Sequence, residues 1–344
     1  MEYLYQVYEE QARKLAFRAT TLPEWQIWHG ALHNKLIELL GNFPLERTPL
    51  YPIQLESHQE AGYRLEKFVF ESEPELQVPC YILIPDQVIP PYRPVIALHG
   101  HGTGGANYLL GKVWDESANA KEQEIIRTQN HDYARQLALH GFLVFVPVQR
   151  GLGERIENKP GLISWQGAGQ SSCRVLSFNA LLLGKTLLGM RVWDVLRTID
   201  YIRSRPEPMV GGLGCVGFSG GGATTLFAAA LDPRITVAVV SGYFNRFRSS
   251  IMAMTHCECN YIPHLLEYAE MADIAGLIAP RPLLLESGKR DGIFPIEGTL
   301  AAFQDLQKVY QLLGIPKSLE IDIFDADHQF HGIKTFDWLD QWLK

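Results

Sequence analysis

Leu213-Gly214-Cys215-Val216-Gly217-Phe218-Ser219-Gly220-Gly221-Gly222-Ala223-Thr224-Thr225-Leu226-Phe227-Ala228-Ala229-Ala230 is the stretch that decides how this chain folds. An apolar run, Leu213 to Val216, reads as a buried strand. A run of small residues reads as a helix. Between them stands Gly217-Phe218-Ser219-Gly220-Gly221, a G-x-S-x-G turn with serine at its apex. The turn must bend so sharply that only tiny side chains fit beside the serine, which takes a strained backbone conformation and lifts its hydroxyl clear. Three consecutive glycines are a poor start for an ordinary helix. Gly-Ser clusters are often plain flexible turns, but the flanking strand and helix favour a nucleophile-bearing turn here.

A serine hydroxyl is barely ionised at neutral pH, so attack needs a base, and the base needs an acid to orient it. Where the serine stands on such a turn, the chain order is Ser, Asp or Glu, His. Pro282-Leu283-Leu284-Leu285-Glu286-Ser287-Gly288 reads as a buried strand, followed by Asp291 in a loop. Leu319 to Phe324 alternates like a half-buried strand and runs into Asp325-Ala326-Asp327-His328-Gln329-Phe330-His331. His328 is the preferred base, with His331 its competitor. Asp291 is the preferred acid over Glu286, Asp325 and Asp327. The carbonyl oxygen of a substrate needs backbone N–H donors. The N–H of Gly220 is one candidate. The other is that of His101, in His99-Gly100-His101-Gly102 after the strand-like run Pro94–Leu98. Alternating His and Gly can suggest a metal pair, but no carboxylate or cysteine stands beside it at ligand spacing. No metal and no cofactor is expected.

With these segments quoted, the chain resembles the α/β-hydrolase superfamily, and within it the acetyl-xylan-esterase-like and dienelactone-hydrolase-like esterases. The likeness is carried by His99-Gly100-His101-Gly102, Gly217-Phe218-Ser219-Gly220-Gly221, Gly288-Lys289-Arg290-Asp291-Gly292-Ile293-Phe294-Pro295 and Asp327-His328-Gln329-Phe330-His331-Gly332, and runs from about Trp25 to the C-terminus. Leu187–Asp194 and Ile278–Pro282 add to it. The resemblance implies hydrolysis of small carboxylic esters, often acetyl groups on sugars, with Gly102, Phe218, Ile293 and Phe294 in the pocket wall. Such chains often carry aspartate at the end of the fourth strand, where this one has Val148 before Gln149-Arg150-Gly151. Dienelactone hydrolases proper use cysteine as nucleophile, and Ser219 argues against that narrower assignment. A serine peptidase of the prolyl-oligopeptidase type, a lactonase or thioesterase, and a non-catalytic binder on the same fold are the rival readings.

Strands alternating with helices along the chain predict a mostly parallel sheet covered on both faces. Residues 1–50 read as an N-terminal helical extension, with residues 1 to about 41 helical and Gly41 a stop. Residues 51–344 read as one α/β-hydrolase catalytic domain with a cap-like insertion at about 242–277. Tyr63–Glu71 and Val78–Ile84 are expected to open the domain as a hairpin, and Thr236–Val240 to form the sixth strand.

The 344 residues are 47% hydrophobic and 20% charged with net charge -7, ordinary globular values. No basic stripe invites nucleic acid. No apolar run approaches the ~20 residues of a membrane span. The first residues lack a signal-peptide pattern, so a cytoplasmic protein is expected, with a small-molecule ester as its partner and its oligomeric state open. Five cysteines suit a reducing compartment better than a disulfide framework. Cys80 and Cys215 read as core residues and Cys173 as a loop residue. His256-Cys257-Glu258-Cys259 could bind zinc, but a structural site wants a second ligand pair, and only His264 and Cys173 stand spare. The packed-loop reading is preferred there.

Overall fold

A computed structural model describes residues 1–102, 104–113, 119–157 and 171–344. Nine strands form one sheet: β1 Ile53–Glu60, β2 Tyr63–Glu73, β3 Leu76–Pro85, β4 Pro94–Leu98, β5 Leu143–Pro147, β6 Gly214–Phe218, β7 Val237–Ser241, β8 Leu283–Gly288 and β9 Leu319–Phe324. Their spatial order is β1-β2-β3-β5-β4-β6-β7-β8-β9. The first three run antiparallel to their neighbours, and β4 to β9 pair in parallel. This is the α/β-hydrolase fold.

The central strands are buried on both faces, so their sequences are continuous apolar runs. Their side chains still alternate between two cores. Ile96 and Leu98 of β4, Phe145 of β5, Val240 of β7 and Leu285 of β8 face one core. Val95, Ala97, Val144, Val216, Val239 and Leu284 face the other. Helices Leu187–Ser204, Gly220–Leu231 and Ile296–Leu312 cover the first face, and Tyr133–Leu139 and Ile333–Trp342 the second.

Some elements depart from expectation. The N-terminus is two helices, Glu2–Glu10 and Leu22–Leu39, separated by extended chain. Thr21 starts the second helix, accepting from the backbone N–H of Glu24, whose carboxylate reaches back to the N–H of Thr21. Trp28, Leu32 and Leu36 form its buried stripe, and Gly41 follows it at φ +98°. The intervening chain bonds to residues 267–273: Lys14 and Leu15 donate their backbone N–H groups to Glu267 and Tyr268 (2.9 Å each), and Phe17 donates to Asp273 (2.8 Å). β1 has no counterpart in the sequence reading, so Val237–Ser241 is the seventh strand. Seven of the eight β1 residues are exposed, leaving no apolar alternation to detect. Cys173 opens the helix Cys173–Leu182 and is not a loop residue.

Crowding fixes the turn after β6. A Cβ on Gly221 would lie 1.8 Å from the carbonyl oxygen of Leu98, and one on Gly217 would lie 2.2 Å from that of Gly221. Because β4 pairs directly with β6, Leu98 opposite Gly217, the loop leaving β4 must run beside the turn. That contact puts residues 99–102 next to Ser219. Gly221→Ala should therefore lower unfolding free energy by about 3 kcal/mol or prevent folding. Gly30→Ala, in an exposed helix position with open space around it, should raise it by about 0.5–1 kcal/mol. Urea titration of both variants checks the contrast.

Candidate active site

Ser219 caps the helix Gly220–Leu231 with φ +55° and ψ -118°. A positive φ is uncommon for a residue with a side chain. It is held by the N–H of Ser219 donating to the Ser241 carbonyl at 2.9 Å. The Ser219 hydroxyl Oγ lies 3.0 Å from His328 Nε2, and His328 Nδ1 lies 2.7 Å from Asp291 Oδ2. Asp291 is 4% exposed. Its other oxygen accepts the backbone N–H groups of Ile293 (2.8 Å) and Phe294 (2.9 Å). These bonds leave Oδ2 for the imidazole. The His328 ring is packed against Phe218 and Phe294, with centroids 4.6 and 5.8 Å away.

The other candidate acids and base have separate partners. His331 pairs with Asp322 at 2.6 Å and stacks on Phe324. Asp325 and Asp327 both pair with Arg290. Glu286 is buried and accepts from Gly332 N–H and the Thr335 hydroxyl. Burial raises its pKa, against the lowering effect of the Thr335 bond. Glu286 thereby ties the chain just beyond His328 to the end of β8.

The backbone N–H of Gly220 stands at the first helical position, where no intrahelical acceptor exists. The N–H of His101 has no backbone acceptor among the described residues. The His101 ring lies against the helix start: a Cβ on Gly220 would meet its Nδ1 at 2.6 Å. His99, 1% exposed, accepts the Gln149 N–H on Nε2 (3.0 Å), which leaves Nδ1 to donate to Gly100 O (3.0 Å). Gln149 also donates to the His99 carbonyl and accepts from Thr224 (2.6 Å). The departure after β5 thus links the 99–102 loop to the helix behind Ser219. Next to it Arg150 and Arg155 bracket Asp194 at 2.7 Å each. Burial would raise the Asp194 pKa, but the two guanidinium groups hold it far below the usual carboxylate range.

A cavity of about 80 Å³ opens at Ser219 and His328. Of the four expected wall residues, Phe218 lines it. Gly102, Ile293 and Phe294 do not, and the last two act instead through their N–H groups on Asp291. No described residue of 242–277 lines it either, although His256 approaches Phe294 with ring centroids 5.6 Å apart. The sequence reading missed Gln129, His131 and Tyr133 in the lining. His131 is the informative one. Its Nε2 is buried with no hydrogen-bond partner among the described residues, and burial, then the nearby His328, pushes its pKa down to about 4. Larger hollows of about 200 and 570 Å³ lie elsewhere, away from Ser219.

The sheet order, with serine on the tight turn after β6, places the chain among the α/β hydrolases. The chain belongs to the Abhydrolase family, whose Abhydrolase_7 model matches residues 3–331. It is 27% identical over 281 residues to "Putative hydrolase YtaP" of Bacillus subtilis (strain 168), covering 80% of this chain and 86% of that one. Among solved structures it is similar to a "putative acetyl xylan esterase" of Bacteroides fragilis NCTC 9343, with TM-score 0.76, 18% identity and coverage of 99% of this chain and 88% of that one. It is also similar to a glucuronoyl esterase from Solibacter usitatus, with TM-score 0.68, 13% identity and 97% coverage of both chains.

His99 carries a pH signature. Burial pushes its pKa down to about 4, against about 6.5 in the unfolded chain. Between these values the unfolded state binds the extra proton, so stability is full above pH 6.5 and drains as pH falls toward 4. This group should contribute a loss of about 2 kcal/mol between pH 8 and pH 5. In His99→Gln, whose amide oxygen can still accept from Gln149, urea titrations at the two pH values should show a correspondingly smaller difference.

Proposed function

We propose that the protein is a serine esterase that hydrolyses short-acyl carboxylic esters through an acyl-enzyme. The reading is carried by one observation: the chain of contacts from Asp291 through His328 to the Ser219 hydroxyl, 2.7 and 3.0 Å long. Ser219 Oγ attacks the ester carbonyl carbon while His328 Nε2 takes its proton. Asp291 keeps the other ring nitrogen protonated and stabilises the imidazolium that forms. The N–H groups of Gly220 and His101 receive the developing oxyanion, a role in which one donor contributes on the order of 3 kcal/mol. His328 then returns the proton to the departing alkoxide, and the alcohol leaves. Water attacks the acyl-serine with His328 again as base, releasing the acid and restoring Ser219.

The small cavity favours a short acyl group. Its polar lining, Gln129, His131 and Tyr108, suits an ester whose alcohol is itself polar. The Nε2 of His131, without a partner among the described residues, can bond such a substrate. Acetylated sugars fit this description, and the structurally similar proteins carry the names acetyl xylan esterase and glucuronoyl esterase.

Ser219→Ala should reduce kcat for p-nitrophenyl acetate by at least about 10³-fold, while unfolding free energy stays within about 0.5 kcal/mol of wild type. His328→Ala should match that loss and His331→Ala should not. Steady-state kinetics with a fluorophosphonate label on Ser219 check this; near-wild-type turnover by the alanine variant would remove Ser219 from the mechanism.

A further inference from the structure

The insertion and the loop after β4 meet at a group of side chains the esterase reading does not use. Cys173, Cys257, Cys259 and His101 each present one donor atom, and all four atoms lie within 4.8 Å of one another. His101 Nε2 is 3.3 Å from Cys259 Sγ. All three cysteines are free thiols. We propose that Cys173, Cys257, Cys259 and the imidazole Nε2 of His101 form a closed, four-ligand site for zinc that clamps the 99–102 loop to the 242–277 insertion.

The geometry is close to what zinc needs. Bonds of about 2.3 Å to sulfur and about 2.1 Å to nitrogen put tetrahedral ligand atoms about 3.5–3.8 Å apart. The observed donor atoms, all within 4.8 Å of one another and as near as 3.3 Å for His101 Nε2 and Cys259 Sγ, stand close to that spacing. The donor set is also selective: thiolates with imidazole suit zinc and do not suit magnesium or calcium. Four protein ligands leave no open position, which marks a structural site and not a catalytic one. Leu152 and Leu187, with Leu176 and Met190 behind them, jacket the sulfurs in apolar surface.

Charge gives an independent argument. Arg191 is 1% exposed, and among the described residues no carboxylate pairs with it. Its guanidinium donates to the Arg150 carbonyl at 3.0 and 2.7 Å and to Cys173 Sγ at 3.0 Å. The neighbouring carboxylates, Asp194 and Glu73, are already taken by Arg150 and Arg155. A buried cation without a counter-ion is costly. The three cysteines supply one only as thiolates, which is the form that binds zinc. On binding, zinc displaces three thiol protons, and the Zn²⁺(Cys⁻)₃His complex carries one net negative charge beside Arg191. The guanidinium N–H on Cys173 is then the outer hydrogen bond that such ligands usually receive.

Along the sequence, Cys257 and Cys259 have no second ligand pair at the spacing of a structural zinc site. The fold supplies one from Cys173 and His101, far upstream, while His264 pairs with Glu267. His101 would therefore serve twice, its ring on the metal and its N–H at the proposed oxyanion site. The metal site itself does not depend on the esterase reading.

The test is metal content and ligand-field spectroscopy on the full chain. Protein purified under reducing conditions, or stripped with chelator and reconstituted, should bind about one zinc per chain by mass spectrometry of the metal. Cobalt(II) in its place should give tetrahedral d–d bands and thiolate-to-cobalt charge transfer. Cys257→Ser/Cys259→Ser should lose at least about nine-tenths of the metal, and Cys80→Ala should keep it. Ser219→Ala should also keep it, so a failure of the esterase reading leaves this result standing. A reduced, folded wild type that binds no stoichiometric zinc, or an octahedral cobalt spectrum without charge transfer, overturns the proposal. So does a disulfide among the three cysteines in freshly isolated, metal-free protein.

Discussion

The backbone of β4 and the turn after β6 touch with no room between them. Gly221 sits where any side chain would collide with the Leu98 carbonyl, and Gly217 where it would collide with Gly221 itself. This contact aligns the end of β4, and so residues 99–102, with the serine at the head of the next helix. Beside it Ser219 stands at φ +55°, a conformation that survives only where the surroundings over-determine it. Parallel pairing of β4 with β6 supplies the frame, and helix packing on both faces keeps it rigid.

The electrostatics around that frame are arranged by burial and pairing. Asp291 is kept by two backbone N–H groups and one imidazole. These bonds fix the carboxylate's orientation toward the ring. His99 shows the opposite case. It is sealed as a neutral ring whose nitrogens are both occupied, so it serves the loop's shape. Gln149 and Thr224 carry that shape into the helix behind the serine. The pair of arginines on Asp194 anchors the chain leaving β5 in the same way.

What the sequence disclosed, and what it hid, follows from the range of the forces involved. Strands buried on two faces are continuous apolar runs, so β4 to β8 are visible locally. β1 is exposed along nearly its whole length and its ladder with β2 is made by the backbone, which leaves no trace in the apolar pattern. The extended chain between the two N-terminal helices is set by bonds to residues 267–273, again invisible from local composition. The candidate serine, histidine and aspartate stand in short motifs with turn residues around them. His131 comes from a segment with no such signature and acquires its place from the helix Tyr133–Leu139 that follows it. Ile293 and Phe294 were expected as side chains in a wall and serve as backbone donors. The Cys-x-Cys pair is obvious in the chain, but its neighbours are brought in only by the crossover between β4 and β5 and by the helix that Cys173 begins.

The lacing of the amino-terminal chain onto residues 267–273 has a mechanical consequence. Tyr8 also bonds Glu270 at 2.6 Å, and Lys14 bridges to Glu267 at 3.0 Å. Residues 267–273 are therefore strapped from outside. A hinged flap swinging over the serine would have to peel this strap away, breaking several bonds at once. The amino-terminal segment thus holds the later half of the 242–277 stretch in place.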